Sequence, residues 1–423
     1  MSKVSWLVSK IKLYILKSDF KALTKADVMF VRHVNNCGFN YNGLVYTQII
    51  DSVIDVAKKC GLECLSIATP YSRYYGASAY NSPFVFNRSF FWVSVVSKLI
   101  ERFVDSDRAY LFRRGVSVRI WKKILVRVEP EAVIGIQPCR FLCIAAKDLG
   151  VKVFDYQHGV ISKDHLWYGH KLPFEMRGEE LPSGILCWDQ ASADALSSWA
   201  QERSVEVVVL GNPWVRRFIV QDEADDLVFG QSVDMYLAQP MKPSILVSLQ
   251  WGLGEKYYKN SGFNGIMSDS LKGVILKTQE KYNWLIRLHP VQLRGVEEKI
   301  VKQKLKNMFE GCNGVEWEAA SNAPLPLVLK NCDLHLTDMS TVVKEAAWFG
   351  VPSGILNPFL RDGGMLQNLY KEERESGIAK LLENSESDIE LWIEKEVGRN
   401  PIFKMNIFEG SISLEEFLKR FVG

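Results

Sequence analysis

The sequence predicts an α/β protein made of two doubly wound domains, each a parallel sheet with helices on both faces. Three observations carry that prediction. Short β-rich runs alternate with longer helical patterns along most of the chain, which is the pattern of βαβ units. The alternation breaks once, at residues 221–243, where Asp222, Glu223, Asp225 and Asp226 cluster ahead of Gln239-Pro240 and Pro243. The chain has 423 residues, too many for one core when domains run to roughly 150 residues each.

In chain order, residues 1–27 stand apart as a basic amphipathic segment. Lys3, Lys10, Lys12, Lys17, Lys21 and Lys25 face only Asp19 and Asp27, and Trp6, Leu7, Ile11, Tyr14 and Ile15 recur at helical spacing. Two readings fit: an interfacial helix held to anionic lipid, or a packing helix with a solvated basic face. The first domain, 28–220, carries predicted strands at 28–31, 65–68, 132–136, 151–156, 185–188 and 205–210, and helices at 44–59, 141–149 and 191–202. After the linker 221–243 comes the second domain, 244–423. Its predicted strands are 245–249, 284–288, 315–317 and 334–337, and its predicted helices are 266–281, 296–309, 325–330 and 341–349. Terminal helices are expected at 388–396 and 414–421. Open sheets of this kind bind ligands outside the carboxyl ends of their strands, so those ends of the two domains, and a cleft between them, are where chemistry is expected.

Composition narrows the function. With 47% hydrophobic and 24% charged residues, the chain has the make-up of an ordinary globular protein. Its 8 cysteines include no C-x-x-C pair and no Cys/His cluster at zinc spacing, so reduced, buried thiols and no metal are expected. No run reaches the roughly 18 apolar residues of a membrane span, and the start lacks a signal-peptide pattern, which predicts a cytosolic protein. There is no Walker A sequence, and no Gly-x-Gly-x-x-Gly opens a helix after a strand, so P-loop hydrolysis and Rossmann redox chemistry lose their usual supports. No cofactor and no nucleic-acid partner are expected. Asp105-Ser106-Asp107 follows a helical run and reads as a solvated helix end rather than a metal motif. The net charge of +3 hides a split: residues 1–220 carry 29 Lys and Arg against 20 Asp and Glu, and the remainder carries 23 against 29.

In the second domain, strand 334–337 runs through Asp338 and Met339 to Ser340 and Thr341, which open a helix containing Glu345 and ending in Gly350-Val351-Pro352. Backbone amides, two hydroxyls and the positive end of a helix dipole gathered there suit a phosphate. Strand 284–288 contains Arg287 and delivers His289-Pro290 at its carboxyl end, where the proline fixes the backbone and the imidazole can donate to a phosphate or a nucleobase. Gln250 lies in the glycine-containing loop after strand 245–249, and Glu255 beyond it is a candidate catalytic carboxylate. In the first domain, Asp155-Tyr156-Gln157-His158-Gly159 ends a hydrophobic strand. His158 is a candidate general base, and Asp155 is an alternate base or the group that orients the imidazole. Arg32, His33 and Asn36 follow the first strand and are candidates for binding an acceptor.

The arrangement Arg-x-His-Pro at 287–290, followed by Ser340-Thr341 and Glu345-Ala346 with Gly350-x-Pro352, resembles the donor site of GT-B glycosyltransferases that build bacterial lipopolysaccharide and capsule. It is most similar to that of transferases using CMP-activated acidic sugars, the Kdo transferases and bacterial sialyltransferases. Teichoic-acid glycerophosphotransferases and UDP-sugar 2-epimerases share parts of it. The resemblance implies that His289 contacts donor phosphate or cytidine, that Ser340 and Thr341 hold the phosphate, and that Glu345 lies near the ribose. Gln157-His158-Gly159 is also similar to a recurrent element of such transferases. The acidic-acidic-Gly motif that supplies the base in His-Pro sialyltransferases is absent from the first half; Phe309-Glu310-Gly311 stands in the other domain. The expectation is a metal-independent glycosyltransferase, peripheral on the inner membrane, that moves Kdo or a related sugar from a CMP donor to a glycan or lipid-linked acceptor. The alternatives are a UDP- or dTDP-sugar transferase or glycerophosphotransferase of the same fold, a UDP-sugar 2-epimerase, and a non-catalytic nucleotide-sugar-binding subunit.

Overall fold

The computed structural model describes residues 17–33, 39–72, 74–163, 165–220, 225–229, 242–256, 258, 265–399 and 412–421, with only the backbone of 229, 255 and 256. The chain divides into two compact units, Met1–Trp214 with Phe408–Gly423, and Val215–Ile407. The division falls ahead of the expected linker, within helix Pro213–Val220, where Arg217 reaches forward to grip Asp225 with two bonds of 2.7 Å. The helix Leu414–Lys419, expected with the second domain, belongs to the first unit instead. Its apolar stripe needs cover, which Phe417 finds against Phe154, edge to face at 5.1 Å, while Arg420 pairs with Glu206 at 3.2 Å.

In the first unit, strands β1 (Val28–Val31), β4 (Cys64–Ile67), β5 (Ala132–Gly135), β6 (Lys152–Tyr156), β7 (Gly184–Cys187) and β8 (Glu206–Val209) form a parallel sheet in the order β4-β1-β5-β6-β7-β8. β1, β5 and β7 are buried at every position, as expected of strands covered on both faces. The order reverses at β1 and β5, so the loops leaving their carboxyl ends open a crevice that β6 borders. The predicted helix 44–59 begins only at Gln48. Before it, β2 (Phe39–Tyr41) and β3 (Leu44–Tyr46) form an antiparallel hairpin, because Asn42 and Gly43 adopt positive φ (50° and 78°), as a tight hairpin turn requires.

In the second unit, β9 (Ser244–Ser248), β10 (Asn283–Arg287), β11 (Val315–Glu316), β12 (Leu334–Thr337), β13 (Ser353–Ile355) and β14 (Ala379–Leu381) form a parallel sheet in the order β11-β10-β9-β12-β13-β14. This is the order of dinucleotide-binding sheets, with its switch point between β9 and β12. The α/β, doubly wound prediction therefore holds in both units. β13 and β14 are not among the predicted strands, since three residues are too few to show a period. Across the middle of the sheet, buried His335 bonds Ser353 Oγ at 2.9 Å and Ser248 Oγ at 3.0 Å, and burial pushes its pKa down to about 3. Among the described residues, no helix is long and apolar enough to cross a membrane.

Candidate functional site

The carboxyl ends of three strands of the second sheet are tied together at one residue, Gln250. After β9 the chain passes Leu249 and Gln250 and turns at Gly252, whose φ of 75° favours glycine. Gln250 Oε1 accepts from the Met339 amide beyond β12 at 2.8 Å, and its carbonyl accepts from Gln292 beyond β10 at 3.3 Å. His289 and Gln292 bracket one another: the Gln292 amide donates to the His289 carbonyl at 2.8 Å, and the His289 amide donates to Gln292 Oε1 at 2.8 Å. Pro290 fits the second position of this turn, where its fixed φ is pre-set. His289 Nδ1 accepts from the Val291 amide at 3.1 Å, so in the neutral ring Nε2 carries the proton and is the donor.

Around Ser340 the groups are more committed than the sequence implies. The Met339, Ser340 and Val342 amides already have acceptors, in Gln250 Oε1, Thr337 Oγ1 at 3.2 Å and Ser340 Oγ at 3.4 Å. Ser340 is buried and Thr341 exposed at the start of helix Val342–Trp348. Arg287, expected near a phosphate, donates instead to the Ala320 and Ala323 carbonyls and so fixes helix Glu318–Asn322 beneath β10. Burial lowers its pKa to about 10 and raises that of neighbouring Glu345 to about 7, against their mutual attraction. A pocket at this end of the sheet is lined by Ser248, Gln250, Met267, Thr337 and Asp338. A larger cavity of about 510 Å³, lined by Leu329, Trp348, Phe349 and Arg399, lies at the amino end of β12 and β13, away from these groups.

In the first unit the same end of the sheet gathers histidines. His33 follows β1 and His158 follows β6, and their rings stand 5.6 Å apart. His165 lies close by, its Nδ1 accepting from the Trp167 amide at 3.1 Å and the Tyr168 amide at 3.3 Å. Burial lowers the pKa of His158; burial and then His158 lower that of His165. Both rings are therefore held neutral near neutral pH and able to take up a proton. The turn carrying His158 is set by buried Gln157, which donates to the Gly159 carbonyl and to Ser192 Oγ, both at 2.9 Å, and accepts from the Trp188 amide at 2.6 Å. Asp155 is fully buried, accepting from the Gln137 amide at 2.8 Å and from Trp167 Nε1 at 3.0 Å, and burial raises its pKa to about 7. The buried Tyr168 hydroxyl lies beside Asp155, and burial together with that carboxylate pushes its pKa up.

Arg32, expected to bind an acceptor, is 2% exposed. It donates to Thr47 Oγ1 at 2.7 Å, to the Tyr80 and Val45 carbonyls, and to Asp51 in an ion pair. Its charge therefore holds the β2–β3 hairpin and helix Gln48–Lys59 to β1. Burial outweighs this pairing for Asp51, whose pKa rises to about 6. Asn36 and the Glu255 side chain lie outside the described residues. Asp105 accepts from the Arg108 amide at 2.8 Å and caps helix Ser106–Val128.

No family model and no curated protein matches this chain. Solved structures do. UDP-GlcNAc 2-epimerase from Methanocaldococcus jannaschii matches with a TM-score of 0.56 at 14% identity, over 93% of this chain and 98% of that one. The Neisseria meningitidis UDP-GlcNAc 2-epimerase bound to UDP-GlcNAc gives 0.53 at 14%, over 93% and 98%. The wall teichoic acid polymerase TagF gives 0.50 at 12%, over 99% and 89%.

The fold is GT-B. At these identities the likeness is one of fold.

Within this GT-B frame, several residues that organise the strand ends go unmarked by the sequence motifs. Asp338, at the end of β12, accepts from the Tyr258 hydroxyl at 2.9 Å and from Asn357 at 2.6 Å, and burial raises its pKa. Gln157 is read only as a motif neighbour and Gln292 is not singled out at all, although each knots two loops together. One signal does point to the histidine cluster: three of the chain's 6 histidines, His158, His165 and His170, fall within one short stretch.

Proposed function

We propose that this protein is a GT-B glycosyltransferase that moves a sugar from a nucleotide donor to a glycan acceptor of bacterial surface polysaccharide. The observation that carries the donor half is the knot at the ends of β9, β10 and β12. There Gln250 joins the loops, and His289 is held in the tautomer whose Nε2–H donates. In this reading His289 and Ser340 receive the donor phosphate, with Thr341 at its edge and Glu345 toward the ribose. Arg287, Gln250 and Pro290 position those groups. Because the nearby amides already have acceptors, the imidazole and hydroxyls carry the recognition.

His158, kept neutral by burial, is the base in this reading, with His33 beside it toward the acceptor and Asp155 as the positioning group for the surrounding loops. The acceptor oxygen bonds to the anomeric carbon as the bond from that carbon to the phosphate oxygen breaks. The hydroxyl proton passes to His158, and the electron pair leaves on the phosphate, where the His289 donor stabilises it. The His-Pro and Ser-Thr motifs favour a CMP-linked ulosonic acid such as Kdo as the donor, and the first 130 residues, with 20 Lys and Arg against 9 Asp and Glu, favour an acceptor carried at an anionic membrane surface, which would make the protein peripheral on the inner membrane.

The shared fold of the UDP-GlcNAc 2-epimerases sets the competing reading. Incubation with CMP- and UDP-sugars, with and without a glycan acceptor, separates the two. Release of nucleotide only when acceptor is present supports transfer, and conversion of UDP-GlcNAc alone to its 2-epimer contradicts it.

A further inference from the structure

Helices Asn87–Ile100 and Ser106–Val128 of the first unit form a helical hairpin joined by residues 101–105. The first helix is apolar on two faces. Val93 is buried inward, while Trp92, Val95, Val96, Leu99 and Phe103 recur at intervals of three and four on another side. Trp92 is 55% exposed, Leu99 48% and Phe103, at the tip, 85%, and on the second helix Leu111 is 57% exposed. Single exposed apolar residues need no explanation, but a run at helical spacing marks a surface with a partner.

The charge around this run selects the partner. Residues 87–128 hold ten Lys and Arg against three Asp and Glu. Arg108, Arg114 and Lys122 pair with Asp105, Glu179 and Asp148. No carboxylate among the described residues pairs with Arg88, Lys98, Arg102, Arg113 or Arg119. A second copy docked face to face would set these cations against their own images. An anionic bilayer takes both features, burying the apolar stripe at the headgroup boundary and attracting the cations. The basic amphipathic segment read from the sequence joins the fold at the same helix: the Lys17 carbonyl accepts from the Arg88 amide at 3.1 Å, and Ser18 Oγ bonds Ser89 Oγ at 3.2 Å.

We propose that this hairpin, with Phe103 at its tip, is a docking surface for an anionic phospholipid bilayer. The proposal rests on the membrane-facing part of the function above and assigns it to named residues. The test is co-sedimentation of the full-length protein with phosphatidylcholine vesicles with and without phosphatidylglycerol. The wild type should bind only the anionic vesicles. Leu99→Asp with Phe103→Asp, and separately Lys98→Glu with Arg102→Glu, should each weaken binding about tenfold while leaving the melting temperature and transfer to a water-soluble acceptor unchanged. Wild-type protein that ignores anionic vesicles would overturn both the hairpin and the membrane-facing reading. Binding that survives in both double variants would overturn the hairpin alone. A dimer that the Leu99/Phe103 variant dissociates, with no vesicle binding, would assign the stripe to self-association and overturn the proposal too.

Discussion

The two units carry sheets of similar design, yet the carboxyl ends of their strands are furnished differently. In the first unit those ends hold titratable groups: His33 and His158 with rings 5.6 Å apart, His165 beside them, and Asp155 raised to about 7. In the second unit they hold a network of mostly neutral hydrogen-bonding groups, in which Gln250, Gln292, Asn357 and Thr337 join loops and His289 is one donor among them, around a single buried carboxyl, Asp338, whose pKa burial also raises. That difference fits the division of labour proposed above. Groups with shifted pKa values suit proton transfer, and a rigid, internally satisfied frame suits holding a charged ligand in one place.

The largest expected effect is that of His158→Ala, which should lower kcat by about 10²- to 10⁴-fold with donor affinity nearly unchanged; equal losses in both would put His158 among the binding groups instead. His289→Ala should do the reverse, weakening nucleotide binding about tenfold, as expected for loss of one hydrogen bond to a charged group, as read by calorimetry.

Smaller effects should appear in stability against pH. Burial raises Asp155 from 3.8 to about 7, so its contribution is full below pH 3.8 and is lost as the pH rises through about 7. Burial lowers His335 from 6.5 to about 3, so its contribution is full above pH 6.5 and is lost as the pH falls toward 3. Asp155→Asn should therefore remove the fall in melting temperature that accompanies a rise in pH from 3.8 to about 7, and His335→Gln the fall that accompanies a drop from 6.5 to about 3. The smallest expected effect is that of EDTA. With charge stabilisation assigned to His289, transfer should continue in the chelator; an absolute metal requirement would contradict that assignment.

Much of the fold is legible in the sequence, because strands buried on both faces appear as continuous apolar runs such as Val28–Val31 and Ala132–Gly135. What escapes is either short or long-range. β13 and β14 are three residues each, and the Asn42-Gly43 hairpin is absorbed into an apparent helix. The terminal helix returns to the first unit through contacts such as Phe417 with Phe154, which no local pattern encodes. The candidate site divides in the same way. His158 and His289 stand out because a histidine at a strand end next to Gly or Pro is a local signal. Arg32 misleads because its burial depends on Thr47, Asp51 and Tyr80, all distant in sequence. Gln250 shows in sequence only as part of a glycine-containing loop, and Gln292 is silent, because their importance lies in which loops they join.

The central claim, that the second unit binds the nucleotide and the first handles the proton, is tested most directly by calorimetric titration of CMP and UDP into wild type, His158→Ala and His289→Ala. The account predicts that one nucleotide binds the wild type and His158→Ala with the same Kd and binds His289→Ala about tenfold more weakly. Equal binding by all three proteins, or loss confined to His158→Ala, would contradict it.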